Sequence, residues 1–155
     1  MSATEAIKPI RYLLEYQHGV DDKRRVQVPA KWKPPENQPD FELMLLLWEL
    51  DGQPPCLLAL PPAAADRLMT KVSALDFGDP KADSLRRNIT GGCEFVKIDS
   101  AGRICLPQKL ALAANITDTV IFIGMLDRFQ LWSPDNRAKV QEIDRTNKAE
   151  ALKRI

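Results

Sequence analysis

Two aspartate and arginine pairs at a spacing of four, Asp21 with Arg25 and Asp99 with Arg103, are the residues of this chain best suited to chemistry. An aspartate at the mouth of a tight loop accepts hydrogen bonds from the loop's own backbone N–H groups and so fixes its shape. The arginine that closes the loop then leaves in a set direction at the start of a strand. A guanidinium held in this way can fork onto O6 and N7 of guanine in a major groove or clamp a phosphate, and β-ribbons are established carriers of such side chains. The first loop also holds Lys23 and Arg24, and Lys31 and Lys33 follow. Five cations therefore fall within eleven residues, more than two aspartates neutralise. The plainer reading is that each arginine only pairs with the aspartate of its own turn.

The loops belong to a longer internal repeat. Residues 20–32 recur in outline at 98–110, with Asp21/Asp99, Arg25/Arg103, Pro29/Pro107 and Lys31/Lys109 at one offset (99 − 21 = 78). Apolar residues match at Val20/Ile98, Val26/Ile104, Val28/Leu106 and Trp32/Leu110. Such a repeat implies one supersecondary unit built twice and packed as a pseudo-dimer. In the first half, Arg11–Val20 is expected to pair with Arg25–Val28 across the turn, Pro29–Lys33 to form a brief helical turn stopped by Pro34-Pro35, and Phe41–Leu50 with Cys56–Leu60 to form a buried hairpin. In the second half, Glu94–Ile98 and Arg103–Leu106 are expected strands around Asp99–Gly102, where Gly102 can take positive φ at no steric cost. Pro107–Ala114 should be a helix ended by Asn115, and Thr119–Met125 with Phe129–Trp132 a second hairpin. Further on, Leu58 matches Leu131 at an offset of 73, so the first half carries five extra residues, expected between Pro34 and Pro55.

Each half ends in a helix. Leu68, Val72 and Leu75 make an apolar stripe behind Pro61-Pro62. Ser133 caps a second helix with Pro134 at its first position, carrying Val140, Ile143 and Leu152 on a charged surface, with Asp144–Lys148 and Glu150–Arg154 pairs at favourable spacing. Between the halves, Asp83–Asn88 should form a short helix ended by Gly91-Gly92. It carries Arg86 and Arg87, candidates for an auxiliary phosphate contact.

The chain has 155 residues, 45% of them hydrophobic and 28% charged, a balance that suits one domain or two intimately packed halves and sets aside disordered and collagen-like classes. Its net charge of +1 means that a nucleic-acid site must come from local clustering of cations. The stretch Met1–Pro9 has no apolar signal core, and the run Leu43–Trp48 is too short to span a bilayer, so a cytoplasmic protein with no membrane partner is expected. Cys56, Cys93 and Cys105 have no Cys-x-x-Cys spacing and read as reduced core thiols, without a metal site or cofactor. Nothing in the sequence places the one histidine, His18, beside a thiol such as Cys93. Asp66, Asp76, Asp79 and Asp83 mark no identifiable cleft, so no enzyme and no small-molecule substrate is expected. Trp32, Trp48 and Trp132 lie in apolar patterns and are assigned to packing.

The two Asp-x-x-x-Arg loops, the strand-ending Pro29 and Pro107, Cys56-Leu57-Leu58 ahead of a proline-led helix, and Phe129-Gln130-Leu131-Trp132 together resemble the MraZ family of transcription regulators. More broadly, the chain is similar to the AbrB-like swapped-hairpin proteins, over about Tyr12 to Trp132. The resemblance implies an α+β, β-rich fold: a double-ψ-like, swapped-hairpin barrel of two SpoVT-AbrB-like repeats, 11–76 and 93–140, with peripheral helices including a C-terminal one at 141–155. It further implies ring-shaped homo-oligomers, a nucleoid location, and binding to direct repeats in the promoters of division and cell wall genes. The DNA-contacting residues it implies are Lys23, Arg24, Arg25 and Arg103, with Asp21, Asp99 and Gly102 organising the loops. Arg24 stands where the family's first loop has glycine, so a left-handed residue there would cost about 1 kcal/mol or more. Either the loop has changed shape or the extra guanidinium has a purpose at DNA. The second loop has Ala101 in place of the lysine. The competing reading is an oligomeric interaction or scaffold module with the same barrel that no longer binds DNA.

Overall fold

The computed structural model describes residues 10–35, 38 and 40–155. The expectation about Met1–Pro9, and positions 36, 37 and 39 of the proline-bearing loop, lie outside the described residues. The described elements run β1 (Glu15–Gly19), β2 (Arg25–Gln27), a 3-10 turn (Ala30–Trp32), β3 (Glu42–Trp48), β4 (Cys56–Leu60), α1 (Pro62–Ser73), α2 (Pro80–Gly91), β5 (Cys93–Lys97), β6 (Arg103–Cys105), α3 (Gln108–Ala113), β7 (Thr119–Gly124), β8 (Phe129–Trp132) and α4 (Pro134–Leu152). The fold is α+β and rich in strands, and no described helix is long and apolar enough to cross a membrane.

The offset of 78 carries β1 onto β5 and β2 onto β6 residue for residue. Six strands form one antiparallel sheet in the order β1-β7-β8-β4-β3-β5, while β2 and β6 form a separate ribbon. Exchanging the repeats, β1 for β5, β3 for β7 and β4 for β8, reverses that order onto itself, so a pseudo-twofold axis passes between β4 and β8 and through the β2–β6 pair. Hydrogen bonds do not close these strands into a barrel.

The expected pairing of Arg11–Val20 with Arg25–Val28 is corrected. Across the first loop only a single bridge, Val20 with Val26, joins the two segments. Instead β1 pairs with β7, and β5 pairs with β3, each strand finding its partner in the other repeat. A hairpin with a three-residue second strand would bury little by itself. Exchange lets Val26 and Ile104, both buried, seal one shared core.

That core explains the local elements. Trp32, 2% exposed, sits at the end of the 3-10 turn with its ring 5.6 Å from Tyr12, 5.4 Å from Tyr16, 6.1 Å from Phe122 and 4.9 Å from Phe129. Pro34 and Pro35 end the turn, as expected, whereas α3 runs on until Asn115 adopts a left-handed φ of 60°. Register places the extra residues of the first half more narrowly than the sequence did. Leu46 and Ile123 are equivalent (123 − 46 = 77), and the pairs Leu47 with Leu57 and Gly124 with Phe129 make Leu57 equivalent to Phe129 (129 − 57 = 72). The match of Leu58 with Leu131 is thus corrected by one residue, and five of six extra residues (78 − 72 = 6; 77 − 72 = 5) lie in the β3–β4 connection, Glu49–Pro55.

The helices differ from expectation in detail. Ala64 and Ala65 are the buried residues of α1, with Leu68 packed partly beside them. The short helix expected at Asp83–Asn88 begins earlier, because Asp79 accepts from the Lys81 N–H at 3.0 Å and Pro80 occupies the first position. Ser133 Oγ caps α4 by accepting from Asn136 N–H at 3.1 Å. The buried Asn136 amide then donates to Pro55 O at 3.0 Å and Ala114 O at 3.3 Å, pinning the start of α4 to both repeats. The far end of α4 is solvent-exposed. Its carboxylates pair three residues apart, Glu142 with Arg145 at 3.0 Å and Glu150 with Lys153 at 3.1 Å, rather than in the expected pairs with Lys148 and Arg154.

Candidate nucleic-acid interface

The two loops share one hydrogen-bond frame. In the first, Asp21 Oδ1 accepts from Lys23 N–H at 2.9 Å and Arg25 N–H at 2.8 Å, and Oδ2 accepts from Arg25 Nε at 2.7 Å. In the second, Asp99 Oδ1 accepts from Ala101 N–H at 2.9 Å and Arg103 N–H at 2.9 Å, and Oδ2 accepts from Arg103 Nε at 3.2 Å. Backbone bonds close each turn in the same way, Asp21 N–H to Arg25 O at 2.9 Å and Asp99 N–H to Arg103 O at 2.8 Å.

Ionised carboxylates suit this frame. The Arg25 backbone N–H above all, helped by its guanidinium and the Lys23 N–H, holds the Asp21 carboxyl below its ordinary 3.8, and the Arg103 N–H does the same for Asp99. A depressed folded-state value stabilises the loops fully above that ordinary value. The contribution is lost as pH falls from there through the folded-state values.

Each loop needs one left-handed residue. Gly102 supplies it in the second at φ 80°, and Arg24 supplies it in the first at φ 61°. The first loop has therefore kept its shape in spite of the side chain. Part of the reason is visible: Arg24 Nε donates to Leu106 O at 3.0 Å, while Leu106 N–H donates back to Arg24 O at 2.8 Å. In the second loop, Gly102 O accepts from Val28 N–H at 3.0 Å and from Gln27 Nε2 at 3.0 Å. Arg24 thus braces the first loop against the other repeat.

The ribbon brings the two loops together. Arg25 lies opposite Cys105, Val26 opposite Ile104 and Gln27 opposite Arg103. Side chains alternate between faces along a strand and agree across a pair. With Val26 and Ile104 buried, the residues Arg25, Gln27, Arg103 and Cys105 form the outer face. Arg25 and Arg103 are diagonal neighbours there, with Cα atoms roughly 7–8 Å apart for such a relation. Both side chains are 35% exposed. Each pairs with its own aspartate through Nε alone, and the Nη groups make no hydrogen bond to protein among the described residues. The plainer reading, pairing within the turn, is thus present, and it leaves the forked edge of each guanidinium open.

Other singled-out residues fall elsewhere. The Arg86 guanidinium bonds Asp83 at 3.0 Å and the carbonyl of Leu75, closing the α1–α2 connection. Arg87 is exposed on α2. His18 packs on Phe122 in β1, and Cys93 lies in β5, so they occupy opposite edges of the six-stranded sheet. Burial pushes the Cys56 thiol up to about 12. Among the described residues no His, Cys, Asp and Glu cluster could hold a metal ion. Trp132 is buried and donates to Gln130 Oε1 at 2.8 Å, a packing role like that of Trp32.

The chain is similar to known proteins over most of its length. A family model described as "MraZ protein, putative antitoxin-like" matches residues 89–154. The transcriptional regulator MraZ of Caulobacter vibrioides (strain NA1000 / CB15N) is 32% identical over 138 residues, 86% of either chain. The protein of that name from Phenylobacterium zucineum (strain HLK1) is 31% identical over 143 residues, 90% of this chain and 88% of its own. That from Roseiflexus sp. (strain RS-1) is 31% identical over 123 residues, 79% of this chain and 81% of its own.

Proposed function

The chain belongs to the MraZ family of transcriptional regulators, and from that premise we propose that it binds double-stranded promoter DNA with the outer face of the β2–β6 ribbon and its two loops. One observation carries this reading: two sequence-distant loops with the same hydrogen-bond frame deliver Arg25 and Arg103 to one solvent-facing surface. A ribbon with two guanidiniums on one face fits the major groove, where each can address guanine, while Lys23 and the remaining donors of Arg24 lie toward phosphate. The targets we infer are direct repeats ahead of division and cell wall genes, read in the cytoplasm on the nucleoid.

A mobility-shift titration on the region upstream of the chain's own gene tests the reading. If a bound protomer neutralises about four phosphates, log affinity falls against log salt with a slope near −3.6 per protomer. Absence of any shifted complex at low salt refutes DNA binding and leaves the scaffold reading in its place.

We further propose that protomers assemble as a ring, which raises avidity on repeated sites without an all-basic surface. Support comes from an apolar patch beside the β7–β8 turn, where Leu13, Leu14, Met125 and Leu126 are 49%, 66%, 45% and 67% exposed. Backbone bonds between Tyr12 and Leu126, at 2.8 and 3.0 Å, hold the patch together. Leu14 and Leu126 are left-handed, at φ 74° and 72°, an unfavourable state for leucine that asparagine tolerates better. The double variant Leu14→Asn with Leu126→Asn should therefore fold at least as stably, by up to about 1 kcal/mol per site, yet sediment as a single chain. Retention of the oligomer in that variant moves the interface elsewhere.

A further inference from the structure

By sequence the loops are unequal. The second has Ala101 and Gly102 where the first has Lys23 and Arg24, so it holds one cation against three. The fold alters that balance. A Cβ built on Gly102 would lie 2.4 Å from Lys33 Cε and 2.7 Å from Lys33 Nζ. The Lys33 side chain thus reaches out of the first repeat and rests on the bare left-handed residue of the second loop. Any side chain at position 102 would displace it.

Three features aim Lys33 there. Trp32, immediately before it, is locked in the core. Pro34, immediately after it, restricts it to extended backbone, observed at φ −68° and ψ 136°. Gln27, whose Nε2 bonds Gly102 O at 3.0 Å, fills the other side of the glycine. The ammonium has no partner of its own: Lys33 is exposed and enters none of the ion pairs among the described residues. No symmetric copy exists at the first loop, since the equivalent of Lys33 is Ala111 (111 − 33 = 78).

We propose that Lys33 is a DNA-binding residue that supplies the second loop with the phosphate-contacting ammonium Ala101 cannot provide. The inference rests on the DNA-binding reading above. A lysine is a compact point charge without the planar fork of arginine, so its contact is with phosphate and is blind to sequence. Each loop then presents one arginine on the ribbon face and one lysine beside it. Lys23 comes from within its loop and Lys33 from across the pseudo-twofold axis.

The test is an anisotropy titration of the full chain on two duplexes, the upstream region and a scrambled one of equal length, across a range of salt. Lys33→Gln should make the salt slope shallower by about 0.9 on both duplexes, leaving their affinity ratio unchanged. Adding Ala101→Lys to Lys33→Gln should restore the slope, with thermal melting checking that both variants stay folded. Equal slopes for the native chain and Lys33→Gln overturn the proposal, as does a drop that Ala101→Lys leaves uncorrected, since that marks a purely structural role. A native chain that binds neither duplex fails at the earlier step, refuting the DNA-binding reading and this inference with it.

Discussion

Arg25→Ala should lower affinity for the upstream duplex about 5- to 150-fold, equivalent to about 1–3 kcal/mol, while changing the stability of the free protein by no more than about 1 kcal/mol. The separation of the two effects follows from how the first loop is built. Two of the three bonds to Asp21 come from the backbone N–H groups of Lys23 and Arg25, which alanine retains. The turn therefore keeps its shape when the guanidinium is removed. What is lost on the protein side is one half-exposed ion pair at 2.7 Å. On the DNA side, the open Nη edge is lost, together with any bidentate contact to a guanine. If Arg25 only steadied its turn, alanine would leave affinity within experimental error, and Asp21→Ala would resemble Arg25→Ala in every readout. Under the DNA-binding reading the variants part. Asp21→Ala loosens the loop but keeps the guanidinium, so its affinity loss is smaller and it still prefers the upstream duplex to a scrambled one, whereas Arg25→Ala narrows that preference.

Local signals in the sequence reached the loops but not their partners. Asp21, Asp99, Gly102, the prolines at 29 and 107, Asn115 and Ser133 each act on the backbone within a few residues, so their turns, caps and stops could be read directly. Strand pairing is different in kind. Nothing between Arg11 and Val28 says that β1 pairs with β7 across the molecule, because that choice is made by the shared burial of Val26, Ile104 and Trp32. The position of Lys33 has the same origin. It sits 69 residues (102 − 33) from the glycine it covers, and only the exchange of strands between repeats brings them together. Asp79-Pro80, by contrast, is a local helix-start signal in the sequence itself, and the helix begins there rather than at Asp83. Arg24 combined both kinds of information. Its left-handed conformation follows from the repeat, since its counterpart is Gly102, but the bond from Nε to Leu106 O that accompanies it belongs to the fold.

Trp32→Ala should be the most damaging single change to the fold, destabilising it by about 3–5 kcal/mol. The indole is 2% exposed and makes edge or tilted contacts with Tyr12, Tyr16, Phe122 and Phe129, which come from both repeats. Its removal leaves a void that these rings cannot fill without leaving their own rotamers, because β1, β7 and β8 fix the strands beneath Tyr16, Phe122 and Phe129. Leu110, which occupies the equivalent place in the second repeat, is smaller and buried at 5% exposure, so Leu110→Ala should cost less, about 2–3 kcal/mol. Denaturant unfolding measures both. The order of the two losses is the informative outcome, because near-symmetric costs would mean that the core is shared equally by the repeats rather than centred on the aromatic residue of the first. Trp32 also precedes Lys33, so a chain that survives Trp32→Ala near the threshold of folding should bind DNA with a shallower salt slope as well. One substitution would then unsettle both the core of the first repeat and the placement of the Lys33 ammonium on the second loop.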